Sequence, residues 1–143
     1  MDLRHLPNLR IFAIHTNIES DARDAQGLLV LHDINSILST IPKANQVTQL
    51  SFKFCFTVFD LHHPFGKYLE QDWVGLCDEV IRISAGKPLE LYLVMTFYSP
   101  GHSPPPENKL YYRIIALLSD HPNICTRFGI HQNPYLNYEV LRI

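Results

Sequence analysis

Eight histidines and three cysteines are the residues of this chain best suited to metal or nucleophilic chemistry. Their spacing argues against a metal centre. His62 and His63 are adjacent, so on a strand they point to opposite faces and cannot share one ion. His15, His32, His102, His121 and His131 are scattered over turn-like segments. They read as solvated or capping side chains, because a metal site needs clustered ligands and a supporting shell. Cys55, Cys77 and Cys125 are odd in number and widely spaced, and match neither a disulfide framework nor a paired-cysteine knuckle. A nucleophilic thiol needs a lowered pKa and a nearby base. No base adjoins Cys55 or Cys125 in the sequence, so both read as structural thiols. The phosphate-cradling glycine motifs, the Gly-x-Ser-x-Gly elbow and the His-Glu-x-x-His pair are all absent. No metal, cofactor or catalytic residue is expected from these motifs. One constellation stands apart: Asp60, His62, His63, Tyr98 and His102 follow the second and third expected strands, where open α/β sheets place their ligands.

The elements that would position these groups are plain in the hydrophobic pattern. Residues 46–60, QVTQLSFKFCFTVFD, alternate strictly from Leu50 to Val58. Leu50, Phe52, Phe54, Phe56 and Val58 share one side; Ser51, Lys53, Cys55 and Thr57 share the other. That period of two predicts a strand with one buried and one wetter face. The same alternation predicts a strand over residues 89–97, with Leu89, Leu91, Leu93, Met95 and Phe97 inward. A first strand is expected over residues 9–15, followed by a polar surface loop over 16–26. A fourth is expected over 124–130, and residues 135–143 have the composition of an antiparallel edge strand. Helical spacing joins Ile34, Ile37, Leu38 and Ile41, with Asp33 as the expected cap and Pro42 as the stop. A second helix is expected over residues 68–83, where Leu69, Trp73, Leu76, Cys77, Val80 and Ile81 form one stripe, closed by Gly86. A third is expected over 107–119, after a proline-rich loop at 99–106.

The 143 residues fit a single domain spanning the whole chain, and a 46% hydrophobic share is enough for a packed core. A net charge of −2 with no basic stripe gives no reason to expect nucleic-acid binding. No apolar run is long enough to span a bilayer, and the opening MDLRHLPNLR lacks an apolar signal core. The cysteine usage fits a reducing compartment, so cytoplasm or nucleus is the expected location. The fold class expected from alternating strands and helices is α/β. It has a mainly parallel sheet of about four strands plus a C-terminal edge strand, with the helices mostly on one face.

Strand starts expected at Leu9, Leu50, Leu89 and Ile124 are roughly forty residues apart, the spacing of stacked supersecondary units. Two lead-ins echo each other, LPNLRIFAIH at residues 6–15 and HPNICTRFGIH at residues 121–131. The opening Leu-Pro-Asn-Leu-Arg-x-Phe-x-Ile resembles a degenerate leucine-rich repeat. The phrase INSILSTIPKANQVTQLSFKF, residues 34–54, is similar to the C-terminal repeat regions of fungal F-box-type proteins. The resemblance spans about residues 3–130 and implies a short leucine-rich-repeat-like arc. In that family the repeat region holds substrate, while an upstream F-box engages a Skp1-type adaptor. This chain begins almost at a repeat, without the F-box module, so a Skp1-type partner is implied only if an F-box lies upstream.

A repeat stack covers one sheet face with helices and leaves the other open. The alternation assigns Ser51, Lys53, Cys55 and Thr57 to that open face, with Glu90, Tyr92, Val94 and Thr96 from the third strand and Arg10 and Phe12 from the first. Such a mixture of charged, polar and aromatic residues suits a protein interface, though a merely solvated face has the same pattern. Trp73 and Tyr111 read as core residues, and Tyr112 as the more exposed aromatic. The leading expectation is a non-enzymatic protein-interaction module with an unknown protein partner. The alternatives are a small enzyme using the Asp60, His62, His63, Tyr98 and His102 group, or a truncated gene product prone to association.

Overall fold

Parallel strand pairing orders the chain. A computed structural model describes residues 1–20, 30–58, 72–98 and 107–133. Strand β1 (Ile11–Ser20) leads to helix α1 (Val30–Leu38), then β2 (Gln49–Val58), helix α2 (Trp73–Ser84), β3 (Leu89–Tyr98), helix α3 (Glu107–Leu118) and β4 (Ile124–Asn133). The four strands form one all-parallel sheet in the order β1-β2-β3-β4. Each strand therefore lies beside the one before it in sequence, with a crossover between. The protein is α/β, as the pattern predicts.

The inward side chains form aligned rows. Phe12 pairs with Leu50, Leu50 with Leu91, and Leu91 with Thr126; the next row is Ile14, Phe52, Leu93 and Phe128. Phe12, Leu50, Phe52, Leu91 and Leu93 are buried. The helices cover this face: Trp73 of α2 meets Phe54 edge-on at 6.0 Å between ring centroids, and Tyr111 of α3 meets Phe128 at 5.4 Å. Leu31, Ile34 and Leu38 of α1 join the same core cluster.

Several boundaries differ from the sequence pattern, for physical reasons. β1 starts two residues late and continues through Thr16–Ser20, a stretch whose polarity reads as a loop. Its residues pair with β2 along the full length, so ladder bonding outweighs composition. α1 begins at Val30, which places Asp33 in its first turn rather than at the cap. Its end is tightened rather than extended to Ile41. The Thr40 and Ile41 amides donate to the Ile37 and Leu38 carbonyls at 3.0 Å each, and the Thr40 hydroxyl also donates to the Ile37 carbonyl at 2.6 Å. α2 is capped by Asp72, whose carboxylate accepts from the Gly75 amide at 2.8 Å. A side chain at Gly75 would meet Asp72 Oδ2 at 2.2 Å, so it would displace the capping carboxylate from its present position. The helix closes through Ala85 in the left-handed region (φ 47) before Gly86 (φ 79). β3 and β4 each extend beyond their expected ends. The expected start of the second helix at Tyr68 and the expected C-terminal edge strand lie outside the described residues.

Side chains stitch each unit to the next. Arg82 on α2 donates to the carbonyls of Leu38 and Ile41, both at 2.8 Å, and pairs with Glu79 at 2.7 Å. It thereby ties α2 to the end of α1, adding a second donor to the Leu38 carbonyl and one to the Ile41 carbonyl. Asn45, just before β2, donates to the Ile83 carbonyl at 3.1 Å and accepts from Val47 N–H at 2.9 Å; Lys87 Nζ donates to its backbone carbonyl. Asn123, just before β4, donates to Ser84 Oγ at 2.6 Å and to the Lys87 carbonyl at 2.8 Å. The two asparagines hold successive pre-strand turns in step.

Candidate functional site

The sheet face turned away from the helices is the candidate site. Its rows run Ile11, Gln49, Glu90, Cys125; then Ala13, Ser51, Tyr92, Arg127; then His15, Lys53, Val94, Gly129. Ser51, Lys53, Cys55, Glu90, Tyr92, Val94 and Thr96 come together on it as the alternation predicts, and Thr57 belongs to it by register. Phe12 does not. It is buried, 7% exposed, on the helix-covered side, in edge contact with Phe52 at 6.4 Å. The physical reason is register, because Phe12 pairs with Leu50 of the inward row. Arg10 precedes β1; its carbonyl receives the Thr48 amide at 2.8 Å, and its side chain is exposed. β1 instead contributes Ile11, Ala13 and His15, and β4 adds Cys125 and Arg127. Reading β1 by its pairing with β2, rather than by its own composition, would have found the first three.

Tyr92 is the centre of the face. Its hydroxyl donates to Glu90 Oε2 at 2.9 Å, and the Arg127 guanidinium lies over its ring at 5.6 Å from the centroid. The bond to Glu90 holds the Tyr92 hydroxyl above its ordinary pKa. A charged, aromatic triad thus comes together across β3 and β4, one strand away from the exposed Lys53. At the amino ends of the strands a depression of about 480 Å³ is lined by Thr48, Gln49, Pro88, Leu89, Glu90, Asn123 and Cys125.

His15 and Cys55 meet on this face, Nε2 to Sγ at 3.4 Å. The sequence gives Cys55 no base; the β1–β2 register supplies an imidazole. Cys55 is nevertheless buried, and burial pushes its thiol up, with Lys53 opposing more weakly. The direction of that shift is opposite to the one that activates a nucleophilic thiol.

Of the alternative group, Asp60, His62, His63 and His102 lie outside the described residues, and Tyr98 ends β3. The strand order runs from β1 to β4 without reversal, so the described strands contain no topological switch point, the place where open α/β sheets bind ligands. Among the described residues no three His, Cys, Asp or Glu side chains are grouped to hold a metal ion, and no helix is long and apolar enough to cross a membrane. No family model, no curated protein and no solved structure matches the chain.

Proposed function

We propose that the chain is a non-enzymatic protein-interaction module that binds its partner on the helix-free face of the sheet. One observation carries this reading: that face presents Lys53, the Glu90–Tyr92–Arg127 group and exposed Ile11 in fixed rows. Aromatic and arginine side chains on an accessible face are the groups enriched among the anchors of protein interfaces. The sequential parallel strands support the kinship with leucine-rich-repeat regions of F-box-type proteins. In that reading the domain is the substrate-holding part, and a Skp1-type adaptor enters only through an F-box upstream.

The test replaces Lys53 by glutamate and Tyr92 by alanine together. Neither side chain is part of the buried core, so the thermal melt should move little. Proteins retained by the immobilised wild-type chain should bind the double variant at least roughly tenfold more weakly, as expected on loss of an interface anchor. Equal retention would remove this face from the proposal.

A further inference from the structure

Charge is divided unevenly between the two layers of the protein. The helices carry Asp33, Asp78 and Glu79, and Asp72 caps one of them. Arg82 in that layer is fully engaged, by Glu79 and by two backbone carbonyls. The helix-free sheet face is the reverse. Lys53 on β2 and Arg127 on β4 are exposed, and neither pairs with a carboxylate among the described residues. Glu90 shares the face, but its Oε2 already accepts the Tyr92 hydroxyl at 2.9 Å. Glu19 belongs to the face by register, two rows beyond Lys53. A chain of net charge −2 thus turns two unpaired cations outward at the middle of this face.

On the basis of the interaction role proposed for this face, we propose that it takes an extended acidic peptide segment of its partner, with carboxylates on Lys53 and Arg127. Such pairs are charge-assisted, and a guanidinium can grip a carboxylate with two parallel N–H donors. Contact with the Tyr92 ring uses none of the Arg127 N–H groups, so they stay open to a ligand. Register sets the spacing that the segment must have. Lys53 lies in the row of Val94, and Arg127 in the row of Tyr92. The two cations are therefore two strands and one row apart. Strands ~4.8 Å apart, with a rise of ~3.3 Å per residue, put their backbones about 12 Å from each other. In an extended peptide the first and fifth side chains share one side at about 13 Å. The line joining the cations crosses β3 between Tyr92 and Val94, both half-buried. The third side chain of the segment would stand there, and an apolar one suits it. The favoured pattern is acid-x-apolar-x-acid. Nucleic acid is the weaker match, because two cations make no continuous basic track.

The test probes three sets of immobilised nine-residue peptides with the intact labelled chain. They are built around Glu-x-Leu-x-Glu, Gln-x-Leu-x-Gln and Lys-x-Leu-x-Lys. The Glu set should bind at least roughly tenfold more tightly than the Gln set, and lose most of that advantage between about 0.05 and 0.5 M salt. Lys53→Glu together with Arg127→Glu should turn the preference to the Lys set; both side chains are exposed, so the melt should move little. Equal binding of the Glu and Gln sets overturns the inference, as does no binding to any set or an acidic preference that survives the charge reversal. A thymidine oligonucleotide that binds more tightly than the Glu set also overturns it, since phosphate would then be the ligand of the two cations. Loss of retained proteins in the Lys53→Glu, Tyr92→Ala variant alongside equal binding of the peptide sets would keep the interaction face and remove its acidic ligand alone.

Discussion

Replacing Trp73 by alanine should destabilise the domain by about 3–5 kcal/mol, the range for emptying a large buried aromatic site. Trp73 is 1% exposed and stands edge-on to Phe54, so it joins the first turn of α2 to the middle of the sheet. The removed volume cannot be refilled locally, because Phe54 is itself stacked beside Phe52 at 6.3 Å and Gly75 is pinned by the Asp72 cap. Against a usual total of roughly 5–15 kcal/mol, this is a large fraction of the stability. The melt should fall by roughly 10–15 °C for a domain of this size. Val74, next in sequence but 39% exposed, provides the control: its alanine variant should cost less than about 1 kcal/mol. Similar losses at both positions would mean that α2 does not present Trp73 to the sheet.

The thiols should differ in reactivity by roughly a hundredfold or more. Burial, reinforced by the neighbouring Asp78 carboxylate, pushes the Cys77 thiol from an ordinary 9.0 up to about 11. Two pKa units mean roughly a hundredfold less thiolate at neutral pH, before access is considered. Cys125 is exposed, whereas Cys55 and Cys77 are buried. A thiol reagent added to the folded protein should therefore modify Cys125 at once, and the other two only as the chain opens. The pH dependence follows from the raised value. The folded state keeps the Cys77 proton where the unfolded chain has lost it, so this contribution to stability is complete below about pH 9 and is lost as pH rises through about 11. Rapid modification of Cys77 near neutral pH, with the melt unchanged, would contradict its place on the buried face of α2.

The readable parts of the fold were those where one strand carries its own phase. In β2 and β3 every second residue is apolar, so Phe52, Phe54, Leu91 and Leu93 declare the inward side and Lys53 and Tyr92 the outward one. β1 has no such phase, because Ile11, Phe12, Ala13 and Ile14 are four apolar residues in succession. Only pairing with β2 decides that Phe12 turns inward and Ile11 outward. The polar end of β1 was hidden for a related reason, since its bonding comes from a neighbouring strand. Long-range polar contacts leave no local mark either. Arg82 reaches carbonyls 41 and 44 residues away, and His15 meets a cysteine 40 residues away. Neither pairing follows from spacing, because the crossover lengths set it.

The central claim is that one sheet face is sealed by helices and the other is open. Hydroxyl-radical footprinting of the intact chain, read residue by residue by mass spectrometry, tests it most directly. Ile11 and Tyr92 should be oxidised readily in the folded protein, while Phe12, Phe52 and Phe54 stay protected until it unfolds. Protection of Ile11 and Tyr92 together with oxidation of Phe12 would contradict the account, because it would put the helices on the other face of β1 and leave no ordered surface for a partner.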